Sequence, residues 1–233
     1  MMEFPQEAYE YYENKSTLRK AYSYVMDRRY RKAVQVAPWL KPQVTNASKE
    51  MKALSKSIIK NGRTDDAKMI AILKWVKYNI RYSGDHKRYT VNEVWSTAEE
   101  VLTKWWARKS KDKLVLKHEG WTKPSGKSYF RSDDCESGAC VIYVLARLAG
   151  VPSYKLRLMC GSVEGGGHCW VQYRPQPHWS VYIDWCYWST SKSVATRPKF
   201  FTAGKTIKGD DARYKTMWFA FNEDNTVVYY NLK

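Results

Sequence analysis

Between Ser132 and Pro152 the chain changes from polar residues to an apolar run with helical spacing. Gly138 and Ala139, Ile142, Leu145, then Leu148 and Ala149 recur every three or four positions, which predicts a helix. Ser132, Asp133 and Asp134 supply N-cap chemistry at its start, Gly150 stands at the C′ position, and Pro152 lies just beyond. A second stripe, Met69, Leu73, Val76 and Ile80, predicts a helix capped by Thr64 or Asp65. A third helix is expected from Ser96 or Thr97, with Glu99 or Glu100 placed as in a capping box and Val101, Leu102 and Trp105 turned inward.

Past Pro152 the pattern shortens to strands. Residues 153–161, 168–173, 179–188, 217–221 and 226–230 are rich in aromatic and β-branched residues, as strands of an antiparallel sheet are. Residues 174–178 and 222–225 read as turns. Residues 1–60 predict two or three helices with breaks near Pro38 and Pro42, and the polar, basic stretch 107–131 reads as a long loop. The pattern is that of an α+β protein: a helical N-terminal extension over 1–62 and a catalytic domain over 63–233, with a basic insertion at 104–131.

The chemistry starts at Cys135. It falls in the first turn of its helix, where unpaired backbone N–H groups and the positive end of the macrodipole favour a thiolate. Asp133, Asp134 and Glu136 oppose that effect, because neighbouring carboxylates disfavour another negative charge. A histidine is therefore required. If 168–173 and 179–188 form a hairpin centred on Gln176, His168 and Asp184 face each other, with Cβ atoms about 4.5–5.5 Å apart. The carboxylate would hold one imidazole nitrogen and leave the other for the thiol, which is the logic of nucleophile, base and orienter in acyl transfer. Cys140, Cys160 and Cys186 read as small core residues. A metal cluster of Cys135, His168 and Cys186 is the competing use of the same side chains. Cys169 alternates to the face away from His168, which argues against zinc held by that adjacent pair.

The segments DDCESGACVIYVLARLAGVP, GHCWVQY and VYIDW, with KWVKYNIRYSG and VWSTAEEVL upstream, together resemble the transglutaminase-like cysteine enzyme superfamily. Arg147, Gly150, Val151 and Pro152 match its Arg-x-x-Gly-Ile/Val-Pro signature, and the Asp-Cys-Glu core is similar to that of its bacterial peptidase branch. The resemblance implies a papain-like/transglutaminase-like core, a helix carrying the nucleophile packed on an antiparallel sheet, with Cys135 as nucleophile, His168 as base and Asp184 as orienter. It implies hydrolysis or transamidation of amides through a Cys thioester, with no cofactor required. It also brings in calcium, for which Asp134 and Glu136 are the candidate ligands, and an indole N–H in the oxyanion hole, for which Trp95 is the candidate and Trp105, Trp106 and Trp121 its rivals. Two features depart from the family pattern: the insertion before the cysteine is long, and Ser137 stands where peptidase relatives often carry a second acid.

Charge widens the range of partners. Forty Lys and Arg against 23 Asp and Glu give +17, which suits an anionic partner such as an acidic protein or a nucleic acid. Nine of those cations fall between 104 and 131 against Asp112 and Glu119. Because this stretch leads to the nucleophile, it is expected to border the substrate path. Trp105, Trp106 and Trp121 within it could contact a peptide or stack on nucleobases. The alternative to an enzyme is thus a basic nucleic-acid-binding or structural module with an idle triad. There is no signal-peptide pattern and no apolar run near 18 residues, and five cysteines form no regular framework. The expectation is a cytoplasmic protein with reduced thiols and no membrane span. The small basic chain also resembles stand-alone viral and phage copies, which would place it in a virion or host cytoplasm.

Overall fold

The computed structural model describes residues 2–3, 38–60, 62–84, 94–103, 106–110, 113–118, 120–123, 125, 129–188, 190–203, 206–209 and 211–228. The helices are a segment at 38–45, α1 (Lys49–Ile58), α2 (Asp65–Asn79), α3 (Ala98–Thr103) and α4 (Cys135–Leu148). The strands are β1 (Met2–Glu3), β2 (Ile80–Tyr82), β3 (Val94–Trp95), β4 (Trp106–Ser110), β5 (Lys113–His118), β6 (Phe130–Asp133), β7 (Leu156–Val163), β8 (Gly166–Gln176), β9 (Trp179–Ile183), β10 (Phe200–Ala203), β11 (Thr206–Gly209), β12 (Tyr214–Phe221) and β13 (Thr226–Val228). No helix among the described residues is long and apolar enough to cross a membrane.

The helices form where side-chain caps and apolar stripes coincide. Thr64 Oγ1 accepts from the Ala67 N–H at 3.2 Å and starts α2. Thr97 and Glu100 close a reciprocal capping box, with Thr97 N–H donating to Glu100 Oε2 at 2.9 Å and Glu100 N–H to Thr97 Oγ1 at 3.2 Å. α4 ends in a Schellman motif: Val151 N–H reaches Ala146 O, Gly150 N–H reaches Arg147 O, and Gly150 has φ +85°. Arg147 ties the turn down by donating to Glu223 Oε1 at 2.7 Å and to Val151 O. Pro42, expected as a break, sits within the helical segment 38–45. Its carbonyl still accepts from the Asn46 N–H, since proline loses only its donor.

A seven-stranded antiparallel sheet of order β11-β10-β9-β8-β7-β12-β13 carries the second half of the chain, and an added contact between β11 and β12 curls it on itself. Strand alternation divides the core in two. Leu156, Leu158, Cys160, Cys169, Val171, Tyr173, Val181, Ile183 and Phe221 face α4, which is buried from Glu136 to Ala146 because α1, α2 and α3 cover its other side. Met159, Trp170, Tyr182, Phe200, Tyr214 and Met217 fill the inside of the curl. Leu40 and Met51 from the N-terminal region join the first core, and Ser55 Oγ donates to Leu145 O at 2.9 Å.

The stretch 107–131 departs from the expected long loop. β4 and β5 pair antiparallel within it, and a four-stranded sheet of order β2-β6-β4-β5 brings β6 up to the start of α4. The apolar triplet Leu114-Val115-Leu116 is the strand signal there, and lysines on both sides mask it in composition. Residues 4–37 and 229–230 lie outside the described residues, and with them part of the expected N-terminal helices and the end of the last strand.

Candidate active site

β6 runs directly into α4, so Cys135 becomes the first helical residue, with a backbone N–H that has no acceptor inside the helix. Asp134 occupies the N-cap position but makes no capping hydrogen bond. Its carboxylate instead lines a cavity of about 310 Å³ together with Tyr82, Trp95, Cys135, Glu136, Gly167, His168 and Trp218. The cavity gathers Cys135 and His168 from elements separated along the chain, as the sequence pattern predicts.

His168 and Asp184 meet, though by a different register from the expected one. Gln172 pairs with Tyr182 and Tyr173 with Val181, which centres the hairpin on Pro177 and adds an irregularity before Gln176. The same count would set Cys186 opposite His168, with Asp184 one diagonal step away and just past the end of β9. A shift of two residues preserves the face, so the diagonal reach still succeeds: His168 Nε2 and Asp184 Oδ2 lie 2.7 Å apart, both groups buried. The contact engages Nε2, and Nδ1 is the ring's other nitrogen. Cys169 does fall on the other face, where its sulfur contacts Cys160 Sγ at 3.5 Å.

The Asp184 carboxylate is held from three sides. Oδ2 also accepts from Tyr214 Oη at 2.8 Å, Oδ1 accepts from the Cys186 N–H at 2.8 Å, and Trp188 Nε1–H donates to Tyr214 Oη at 2.7 Å. Burial, then the charge of Asp184, pushes the Tyr214 phenol far above its usual range, so it stays a donor. Nothing local in the sequence marks Tyr214, which arrives from β12. Tyr214→Phe is expected to remove one hydrogen bond to a buried charge, lowering stability by about 2 kcal/mol. The melting temperature should fall by several degrees and alkylation of Cys135 should slow. An unchanged melting curve would show that Tyr214 is packing alone.

The thiol is not poised as a thiolate. Burial pushes Cys135 well above the ordinary thiol range, Glu136 and Asp134 add to the effect, and an N–H from the Cys169 backbone works against it. Accordingly Cys135 Sγ donates to Glu136 Oε2 at 3.3 Å rather than to His168. The expected opposition of the flanking acids to the helix end is therefore joined by a larger one, burial. In chelator-treated protein, Glu136→Gln should lower the thiol's pKa and speed alkylation at pH 7 several-fold, since each unit is a factor of ten in thiolate below the pKa. Slower or equal alkylation would rule this charge effect out.

The remaining expected residues are dispersed. Trp95 is a buried wall of the cavity, edge-on to Trp39 at 5.8 Å. Trp121 packs against the core and its carbonyl accepts from Arg131 at 3.1 Å, outside the residues that line the cavity, so the cavity itself offers it no substrate contact. The Trp106 backbone pairs with Arg131 and His118, and Trp105 lies outside the described residues. Three aromatics that the sequence did not single out stand at the site instead. Tyr82 is 61% exposed, and its phenol is pushed up by burial and then by Cys135. Trp218 lines the cavity opposite, and Tyr187 meets the His168 ring edge-on at 4.9 Å under the Arg213 guanidinium.

No protein-family model matches this chain, and no curated protein sequence matches it. Solved structures similar to it include LapG of Legionella pneumophila. The calcium-bound form has 14% identity and a TM-score of 0.48, over 85% of this chain and 86% of that one. The EGTA-treated form has 13% identity and a TM-score of 0.46, over 82% and 84%. At this identity and score the likeness carries no chemistry over to this chain.

Proposed function

We propose that this chain is a transglutaminase-like cysteine enzyme acting on amide bonds of a protein or peptide. The observation that supports it most is the 2.7 Å contact between His168 and Asp184 on the cavity that also exposes Cys135 at a helix start. In this reading His168 Nδ1 takes the Cys135 proton as sulfur attacks the amide carbonyl. The tetrahedral oxyanion is met by the Cys135 N–H and a second donor on the wall, Trp95 from sequence or Tyr82 from position. Collapse expels the amine with the proton returned from His168, leaving a thioester. Asp184 keeps Nε2 protonated so that Nδ1 is free to accept. Water then releases the acid, or an amine forms a new amide. Hydrolysis is the favoured branch, because the Asp-Cys-Glu core resembles peptidases. The raised thiol makes His168 a general base during attack rather than half of a resting ion pair.

Calcium fits this site on donor chemistry. Asp134 and Glu136 both line the cavity, and the charge of the ion would offset theirs beside the thiol, with most of its roughly six to eight oxygens supplied by backbone carbonyls or water. The Glu136→Gln protein serves a second time here: calcium should raise the melting temperature of the wild type and not of the variant.

The test of the function is incubation of the full chain with glutamine-containing peptides, with and without a labelled primary amine, read by mass spectrometry. Cleaved or deamidated peptide with water, or amine-labelled peptide, is expected and should vanish in Cys135→Ala. The proposal fails if Cys135→Ala retains the products.

A further inference from the structure

Beside the His168–Asp184 pair lies a thiol for which acyl transfer has no use. Cys186 follows Asp184 by two residues, in the turn after β9, and its backbone N–H is bonded to Asp184 Oδ1. This fold-back and the hairpin register bring it to His168. A ring nitrogen of His168, a carboxylate oxygen of Asp184 and Cys186 Sγ all lie within 4.8 Å of one another, the one such grouping of three among the described residues.

The donor set is selective. Imidazole nitrogen, carboxylate oxygen and thiolate sulfur suit a borderline-soft ion with three protein ligands and one open position, as zinc takes, and not calcium or magnesium. With ligand bonds of about 2.0–2.3 Å, tetrahedral zinc needs donor atoms roughly 3.3–3.8 Å apart. The sulfur lies within 4.8 Å of both other donor atoms, so side-chain rotation has to close at most about 1.5 Å, and the 2.7 Å His168–Asp184 contact would open by under about 1 Å. Outer support already exists: Tyr214 and the Cys186 N–H hold the carboxylate, and Trp188 holds Tyr214. Burial first, and then the charges of Asp184, Asp134 and Glu136, push the Cys186 thiol up, with Lys77 acting against them; a divalent cation would offset those three charges.

We propose that His168, Asp184 and Cys186 form an inhibitory site for a thiophilic divalent cation, with zinc the best fit. On binding, the metal replaces the hydrogen between His168 Nε2 and Asp184. That proton moves to Nδ1, so the neutral ring now presents N–H where it must present a lone pair to Cys135. Cys186 releases its proton to solvent as its sulfur bonds the metal, and nothing is oxidised or reduced. The base is thus switched off by tautomer, without contact between metal and nucleophile. The inhibition rests on the acyl-transfer reading; the binding does not.

The experiment uses the full chain with zinc in calorimetry and cobalt in absorption spectroscopy, comparing wild type, Cys135→Ala, Cys186→Ser and Cys186→Ala. One saturable site is expected in wild type and Cys135→Ala, with a thiolate-to-cobalt charge-transfer band. Both Cys186 variants should lose the band and bind zinc at least tenfold more weakly, while melting as the wild type does. Zinc should also protect Cys135 from iodoacetamide in wild type and at least tenfold less effectively in Cys186→Ser. Loss of the band in Cys135→Ala, its survival in either Cys186 variant, or no saturable binding would overturn the site. A Cys135 that is inert without metal would instead count against the enzyme reading, and would leave the cobalt result standing on its own.

Discussion

Replacing Cys135 by alanine is expected to abolish the main phase of iodoacetamide labelling above neutral pH, and His168→Ala to slow it about tenfold or more. The other thiols compete poorly. Cys140, Cys160 and Cys169 are buried in the core, and Cys186 is the one rival with partial exposure. Peptide mapping after brief labelling therefore separates the two candidates. Because burial and two carboxylates hold the Cys135 thiol up, labelling near pH 6 should be slow and should climb with pH beyond the range of an ordinary thiol. The direction follows from charge. The group is neutral below its pKa, and a raised pKa postpones the thiolate to higher pH. Equal labelling of Cys135 and Cys186, or a His168→Ala protein that labels at the wild-type rate, would sink the triad.

Gly138→Ala is expected to damage the protein, although in an exposed helix the same change would stabilise by about 1 kcal/mol. Gly138 lies one turn into α4 under the Trp185 indole, which donates to the Cys135 carbonyl at 3.3 Å. A Cβ there would sit within the indole ring atoms, and a tryptophan 4% exposed has little space to retreat. Overpacking of this kind costs roughly 1–3 kcal/mol, which in a domain of this size lowers the melting temperature by several degrees. Trp185 lies between Asp184 and Cys186, so its displacement should also disturb the His168 pair. A melting curve and the rate of Cys135 labelling read the two effects. A melting temperature at or above that of the wild type would refute the packing argument.

Much of the site was legible because its parts announce themselves locally. A Cys after two acids, at the head of an apolar run closed by Gly150 and Pro152, defines a helix start regardless of context. The alternation in 168–173 and 179–183 put His168 on the face opposite Cys169, and the structure agrees. The exact pairing was less legible: centring on Gln176 misplaced the turn by one position, since β8 runs on through Arg174 and Pro175 to Gln176 and the chain turns only at Pro177 and His178, although composition reads all of 174–178 as turn. The basic hairpin β4–β5 was hidden for another reason, because lysine frequency reads as loop while its short apolar core reads as strand.

What the sequence determined by itself is therefore local and periodic: where helices cap, which residues share a strand face, and that a thiol, an imidazole and a carboxylate could be brought together. These depend on hydrogen bonds and side-chain repeats spanning a few residues. The tertiary structure decided the rest. It chose the diagonal contact of His168 with Asp184, brought Tyr214 beneath them, put Tyr82 and Trp218 at the cavity in place of Trp121, and set Cys186 beside the base. It also decided the protonation of Cys135, because a pKa answers to burial and to charges summed through space, which no short stretch of chain contains.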